Sequence, residues 1–156
     1  MAKKDIQTQI REINADLQKR LQNVSSSEAK FCATVAAEVE RKAKTLMRDT
    51  KVDYNKAYKK GKNKDIVHYA SVEGEPPAVD TGTLRMSITH EVREEGNGKA
   101  VGVVGSILNN PPYGRYLEYG TSQMKPRPWL SRALNESIEF IKQAQKKILG
   151  KAIEGK

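Results

Sequence analysis

The segment Pro111–Leu130 constrains the fold more than any other part of this chain, because it concentrates conformationally restricted residues in a short span. Pro126 and Pro128 lack N–H donors and favour extended backbone at the residue before each of them. Gly120 permits a bend that a side chain would prevent. We therefore predict a strand or short turn-strand, a sharp turn, a stiff extended passage, and then a helix that begins near Trp129.

Aromatic residues are only 6% of the chain, so the same segment should supply much of the bulky core. Tyr113, Tyr116 and Tyr119 can each bury a ring while the hydroxyl keeps a hydrogen-bond partner. Nothing in the segment has the composition of a site for chemistry on a substrate.

Aliphatic residues repeat at steps of four and three near the N-terminus, which predicts an amphipathic helix over residues 4–24. Ser25 and Glu28 have the spacing of a capping box, which favours a second helix over residues 27–48, although one long helix kinked at the serines is an open alternative. The first stripe is a candidate assembly face: Ile6, Ile10, Ile13, Leu17, Leu21 and Val24. Packing within the protein or its oligomer is favoured over a coiled coil with a partner, because the heptad register is short and broken.

Residues 51–65 show no apolar period and predict an exposed basic loop with Gly61 near its tip. Residues 41–65 carry a net charge of +7 within a chain of net +9, whereas residues 1–40 are neutral. Aromatic and cationic side chains in this loop could stack bases and neutralise phosphates, or meet an acidic protein. They are Tyr54, Lys56, Tyr58, Lys59, Lys60, Lys62 and Lys64. A solvated loop without a partner is the favoured interpretation.

The middle of the chain, residues 66–121, predicts a small antiparallel β-platform. Residues 66–72 and 100–105 are rich in β-branched side chains, and residues 84–93 alternate apolar and polar. Gly102 and Gly105 leave room for a close backbone approach or a bulge. A C-terminal amphipathic helix should follow over residues 126–150 and end at Gly150. The fold class is α+β, as a single domain with N-terminal helices, a small antiparallel sheet, and a C-terminal helix packed on that sheet.

Several kinds of chemistry lack the residues they need. His68 and His90 are the two histidines, and neither lies at ligand spacing from Cys32, the single cysteine, so we expect no metal, cofactor or disulfide. Asp80 and Glu118 could form a hydrolytic carboxylate pair, but a turn cap and a Tyr- or Arg-paired strand acid are the simpler interpretations. No apolar run is long enough to span a bilayer and the N-terminus is unlike a signal peptide, which favours a cytosol-like location without a membrane.

Three motifs, in order and at consistent spacing, resemble the tail-completion or head–tail joining family of long-tailed bacteriophages. They are PPAVDTGTLRMSI at residues 76–88, VGVVGS at 101–106 and YGRYLEYGTSQMKPRPWLSRAL at 113–134. The resemblance covers residues 70–148. Trp129 stands where phenylalanine is usual in that family, and the lysine-rich residues 51–65 lie outside the pattern.

This resemblance implies a non-enzymatic virion protein at the neck or the head-proximal end of the tail, assembled in the host cytoplasm. Such proteins form rings, commonly sixfold, and their partners are copies of themselves, connector or portal-side proteins, and tail-terminator or tail-tube proteins, with phage DNA nearby. The motif residues would shape a rigid platform: Asp80, Thr81, Gly82, Leu84, Tyr116, Glu118, Gly120, Thr121, Pro126, Pro128 and Trp129. The alternative is a small basic nucleic-acid-binding protein, which would explain the isoelectric point of about 9.6 but not these motifs.

Overall fold

The computed structural model describes residues 6–59, 67–96, 99–108 and 112–154. It confirms the α+β class, with a long N-terminal helix, two small antiparallel sheets and C-terminal helices. In chain order the elements are α1 (Ile6–Arg48), β1 (Val52–Lys59), β2 (Val67–Ser71), α2 (Thr83–Ser87), β3 (Ile88–Glu94), β4 (Ala100–Ser106), α3 (Tyr113–Tyr119), α4 (Leu130–Glu136) and α5 (Ile138–Glu154).

The N-terminal part of the chain is one continuous helix of 43 residues, so the favoured division into two helices at the serines is wrong. The Ser26 hydroxyl donates a hydrogen bond to the carbonyl of Asn23 at 3.0 Å, one turn back along the same helix. A serine that bonds back in this way is compatible with a helix interior. The apolar stripe therefore runs along a single rod about 64 Å long.

The β3–β4 hairpin packs on the C-terminal half of α1. It approaches the helix closely at Gly102, where an added Cβ would lie 3.1 Å from the carbonyl oxygen of Cys32 and 3.3 Å from the Cβ of Ala36. The Cys32 thiol donates to the carbonyl of Ala100 at 3.2 Å. The prediction that Gly102 permits a close approach is therefore confirmed, whereas a Cβ at Gly105 would meet no atom within 4 Å.

The basic loop predicted over residues 51–65 is wrong for its first part, because Val52–Lys59 forms strand β1. This strand pairs antiparallel with β2, which confirms the strand predicted at 66–72, and the two strands pack mainly on each other. Polar contacts attach the hairpin to the rest of the protein. Lys125 Nζ lies 2.6 Å from a carboxylate oxygen of Glu73, and Arg127 donates to the carbonyl of Ser71 at 2.6 Å. The Thr50 hydroxyl donates to the carbonyl of Pro76 at 2.7 Å and closes the base of the hairpin.

Two short segments expected to be strands are helical. Thr83–Ser87 forms α2, so the strand predicted at 84–93 begins only at Ile88. Tyr113–Tyr119 forms α3, which buries Gly114 and Leu117 and leaves the tyrosines on the outer face. Tyrosines three residues apart share a helix face but would alternate across a strand. Tyr113, Tyr116 and Tyr119 are 49%, 44% and 75% exposed, so the expectation that they fill the core is wrong.

The core lies where α1, β3, α3 and α4 meet. Its buried members are Val39, Ala43, Met47, Ile88, Leu117, Trp129 and Ala133. Leu130 of α4 and Val104 of β4 both pack on this cluster. Helices α4 and α5 contact mainly α1, so the C-terminal helices lie against the long helix more than on the sheet. Helix α5 continues through Gly150 to Glu154, so the end predicted at Gly150 is wrong.

Candidate assembly surfaces

Glu118 joins α3 to α4 within the third motif by capping a helix. It lies on α3, and its Oε2 accepts hydrogen bonds from the backbone N–H groups of Trp129 at 2.8 Å and Leu130 at 2.9 Å. Its Oε1 accepts from the N–H of Ser131 at 3.0 Å. These are the first N–H groups of α4, which have no partner within the helix. Glu118 is therefore a helix cap from a distant segment, and its interpretation as a Tyr- or Arg-paired strand acid is wrong.

The environment of Glu118 stabilises its ionised form. Burial acts to raise the pKa of the carboxyl group, but hydrogen bonds from Ser131, Leu130 and Trp129 outweigh burial and leave the pKa below its ordinary value of 4.5. Several N–H donors at the positive end of a helix stabilise the charged form of a carboxylate and so lower its pKa. It therefore carries no readily transferred proton, and it is not poised as a general acid.

We call residues 113–131, from α3 to the first turn of α4, the brace, and Trp129 and Gly120 also hold it together. The Trp129 indole N–H donates to the carbonyl of Gly114 at 3.0 Å, and the ring is 3% exposed. Gly120 has a φ of 75° and a ψ of −176°, a conformation that is essentially restricted to glycine. The chain then turns through a bridge in which the N–H of Thr121 donates to the carbonyl of Met124 at 2.8 Å. The bend predicted at Gly120 is confirmed.

Arg127 is a structural residue that sequence reasoning missed. It lies between Pro126 and Pro128, and its backbone N–H donates to the carbonyl of Leu117 at 2.7 Å. Its guanidinium group donates to the carbonyl of the buried Ser71 at 2.6 Å and to the Ser71 hydroxyl. A cationic side chain between two prolines has few partners nearby in the chain. Its position in the sequence therefore indicated a hydrogen-bond partner from a distant segment. Arg127 thereby ties β2 to the brace.

The Asp80-Thr81-Gly82 motif forms the turn that begins α2. Gly82 has a φ of 79°, and the hydroxyl of Thr81 accepts from the N–H of Thr83 at 3.3 Å. Thr81 thus supplies a side-chain acceptor within the turn, whereas Asp80 lies 2.9 Å from the ring Nδ1 of His68 on β2. Leu84 packs on the core beside Gly114. An open cavity of about 390 Å³ lies over this turn.

The N-terminal half of α1 carries the predicted assembly face and projects from the rest of the protein. Every side chain described from residue 7 to residue 24 is exposed. The described members of the aliphatic stripe are Ile10 (51% exposed), Ile13 (59%), Leu17 (51%), Leu21 (69%) and Val24 (37%). Ile6 belongs to the helix, but its side chain is outside the described set. We call residues 7–24 the arm.

A groove continues along the same face of α1, where its C-terminal half meets β4 and α4. It measures about 400 Å³, and most of its lining is apolar: Phe31, Cys32, Val35, Ala36, Val39, Gly102, Val104, Tyr119, Leu130 and Leu134, with Glu118 and Ser131. Leu134 is 48% exposed at its rim. Burial, followed by the charge of Glu28, raises the pKa of the Cys32 thiol, which keeps the thiol in its uncharged form. We call this groove the seam.

The β1–β2 hairpin presents two of its aromatic residues to solvent. The rings of Tyr54 and Tyr69 meet edge to face with centroids 5.1 Å apart, and Tyr54 is 74% exposed. Lys56 is shared between Asp53 and Glu73, at 4.0 and 3.3 Å. Lys60, Gly61, Lys62 and Lys64 lie outside the described residues, and Tyr58 and Lys59 are described in backbone alone.

The described parts of the chain contain no group of three His, Cys, Asp or Glu side chains that could hold a metal ion. None of the helices in those same ranges is both long and apolar enough to cross a bilayer. The fold and the surfaces together define an α+β protein with a projecting helical arm and a braced C-terminal segment. Searches among protein-family models, curated proteins and solved structures found nothing that matches this chain.

Proposed function

We propose that this protein is a structural subunit of a tailed bacteriophage, which completes the junction between head and tail as part of a ring. The motif resemblance suggests the role, and the exposed arm is the observation that carries it. Helices in proteins draw most of their stability from packing an apolar face, and the arm packs its face on nothing in the described part of the chain. Five exposed aliphatics on one stripe therefore indicate a surface that assembly covers.

The way the motif residues are used supports a structural role over catalysis. The carboxylate of Glu118 is occupied by three backbone N–H groups, and Asp80 lies against His68. Arg127 and Trp129 direct their polar groups to backbone carbonyls. The arrangement holds three segments in one rigid unit, which is what a ring subunit needs between a connector on one side and a tail tube on the other.

The experiment that tests this role compares particles assembled with and without the protein by cryo-electron microscopy. We expect DNA-filled heads and finished tails to remain separate in its absence, and its density to lie at the junction when it is present. The arm deletion that removes residues 1–24 should also leave heads and tails separate, while the truncated protein keeps its β-sheet circular dichroism. Normal joined particles without the protein would contradict the proposal.

Nucleic-acid binding is the second candidate, and the exposed Tyr54–Tyr69 pair beside a lysine-rich sequence favours it. If the hairpin binds single-stranded DNA, Tyr54→Ala should weaken binding by about 5- to 150-fold, because base–tyrosine stacking contributes about 1–3 kcal/mol. Tyr119→Ala is the matched control, since Tyr119 is 75% exposed but lies on α3. Changing Lys59, Lys60, Lys62 and Lys64 to glutamine should also flatten the salt dependence of binding. Equal effects of the two tyrosine variants would exclude the hairpin as the site.

A further inference from the structure

The chain carries two apolar surfaces of complementary shape, and nothing in its described part covers either of them. The arm is a convex stripe of aliphatic side chains, and the seam is a concave groove floored by Val35 and Val39 and rimmed by Leu134. A helix laid into a groove, with anchors at i, i+3, i+4 and i+7, is a recurrent mode of protein recognition. The steps of four and three along the arm have this spacing.

The arm cannot fill the seam of its own chain. Both surfaces lie on one uninterrupted helix, and Leu17 is about 27 Å from Val35 along its axis at 1.5 Å per residue. Bringing them together within one chain would require α1 to break and fold back. A second copy, in contrast, supplies an arm without any change in the fold.

The distribution of charge favours a second copy over a nucleic acid or a membrane. Residues 1–40 carry no net charge, whereas the rest of the chain carries +9. The arm is therefore the part that can approach another copy with little electrostatic repulsion. Asp16 and Arg20 on it pair with each other at 2.8 Å, and its polar face is rich in Asn and Gln. Phosphate backbones and anionic bilayers select faces rich in Lys and Arg.

We propose that the arm of one copy docks into the seam of a second copy. The contact joins two different surfaces, so it is heterologous, and such contacts close into rings when the rotation between subunits allows. The inference rests on the proposed function in that it names the partner of the arm in the ring. The contact itself can be tested in the purified protein, so its failure and the failure of the role in phage assembly are separate results.

The test is sedimentation equilibrium of the full chain and of matched charge variants. Leu17→Glu alters the arm and Leu134→Glu alters the seam at similar exposure, 51% and 48%, so neither replaces a fully buried side chain of the monomer. Gln22→Glu adds the same charge to the opposite side of the arm and is the control. We expect self-association of the wild type and of the control, and an association constant lowered on the order of 100-fold by each leucine variant, because a buried unpaired carboxylate is costly.

Mixing the two leucine variants distinguishes docking of an arm into a seam from pairing of one arm with another. The Leu134→Glu chain retains its arm and the Leu17→Glu chain retains its seam, so their mixture should form a one-to-one complex that neither forms alone. A wild type that stays monomeric, a mixture that stays monomeric, or a control as disruptive as Leu17→Glu would each overturn the proposal. Circular dichroism checks that the variants fold, and Ile13→Glu and Tyr119→Glu replace any that do not.

Discussion

Replacing Gly120 by alanine should lower the free energy of unfolding by about 3 kcal/mol or more, because two costs add at one position. The backbone angles of Gly120 are strained for any residue with a side chain. A Cβ there would lie 2.6 Å from the carbonyl oxygen of Met124 and 2.9 Å from the nitrogen of Pro126, and both are backbone atoms. The measurement is chemical denaturation followed by tryptophan fluorescence, since Trp129 lies in the core.

Gly150→Ala is the control for that result, and it should change stability in the opposite direction. Gly150 lies inside α5, where a Cβ would meet no atom within 4 Å. Alanine is a better helix former than glycine, so this variant should be stabilised by up to about 1 kcal/mol. If Gly120→Ala is tolerated as well as Gly150→Ala, the turn at Gly120 is not the rigid element that this structure describes.

Replacing Glu118 by glutamine should lower the free energy of unfolding by about 2 kcal/mol at neutral pH. The charge-assisted cap is lost, and the amide NH₂ of glutamine faces backbone N–H donors. Glu118 accepts from three backbone groups across the gap between α3 and α4, so the loss should loosen the whole brace. Glu139→Gln is the matched control. Its carboxylate is 77% exposed and pairs with Lys142 on the surface, so we expect a change below about 0.5 kcal/mol.

The pH dependence of the difference in unfolding free energy between wild type and Glu118→Gln distinguishes a charged cap from simple packing. The pKa of Glu118 is lower in the folded protein than its ordinary value of 4.5. The ionised carboxylate therefore contributes its full stability above pH 4.5, and that contribution is lost as the pH falls through the folded-state pKa. The gap in unfolding free energy between wild type and Glu118→Gln should shrink on acidification. A gap that stays constant from neutral to acid pH would show that the charge is unimportant.

The tyrosines on α3 extend the surface available for assembly. Tyr113 lines the cavity over the Asp80-Thr81-Gly82 turn, and Tyr119 lines the seam. Exposed tyrosines are enriched at protein interfaces, because the ring gives a large contact area at low entropic cost. The outer face of α3, which lies between the cavity and the seam, is therefore suited to the proposed contact between two copies.

Amino-acid periodicity by itself determined the elements whose apolar pattern is long or strict. The stripes of α1 and α5 predicted helix, although not the continuity of α1 through the serines, and the β-branched residues of β4 predicted a strand, because apolar periodicity is the dominant local signal. The turn at Gly120 and the close approach at Gly102 were also predictable, since both positions need a residue without a side chain. The candidate assembly stripe of the arm came from the same periodicity.

Only the tertiary structure decided the short elements and the contacts between distant segments. Tyr113–Tyr119 is helical because Gly114 and Leu117 pack inward against Trp129 and the core, which a window of seven residues does not reveal. Residues 52–59 become a strand because β2 supplies the hydrogen-bonding partner. Glu118 caps a helix that begins twelve residues later along the chain. A local pattern reports which residues share a face, whereas these partners meet only when the chain has folded.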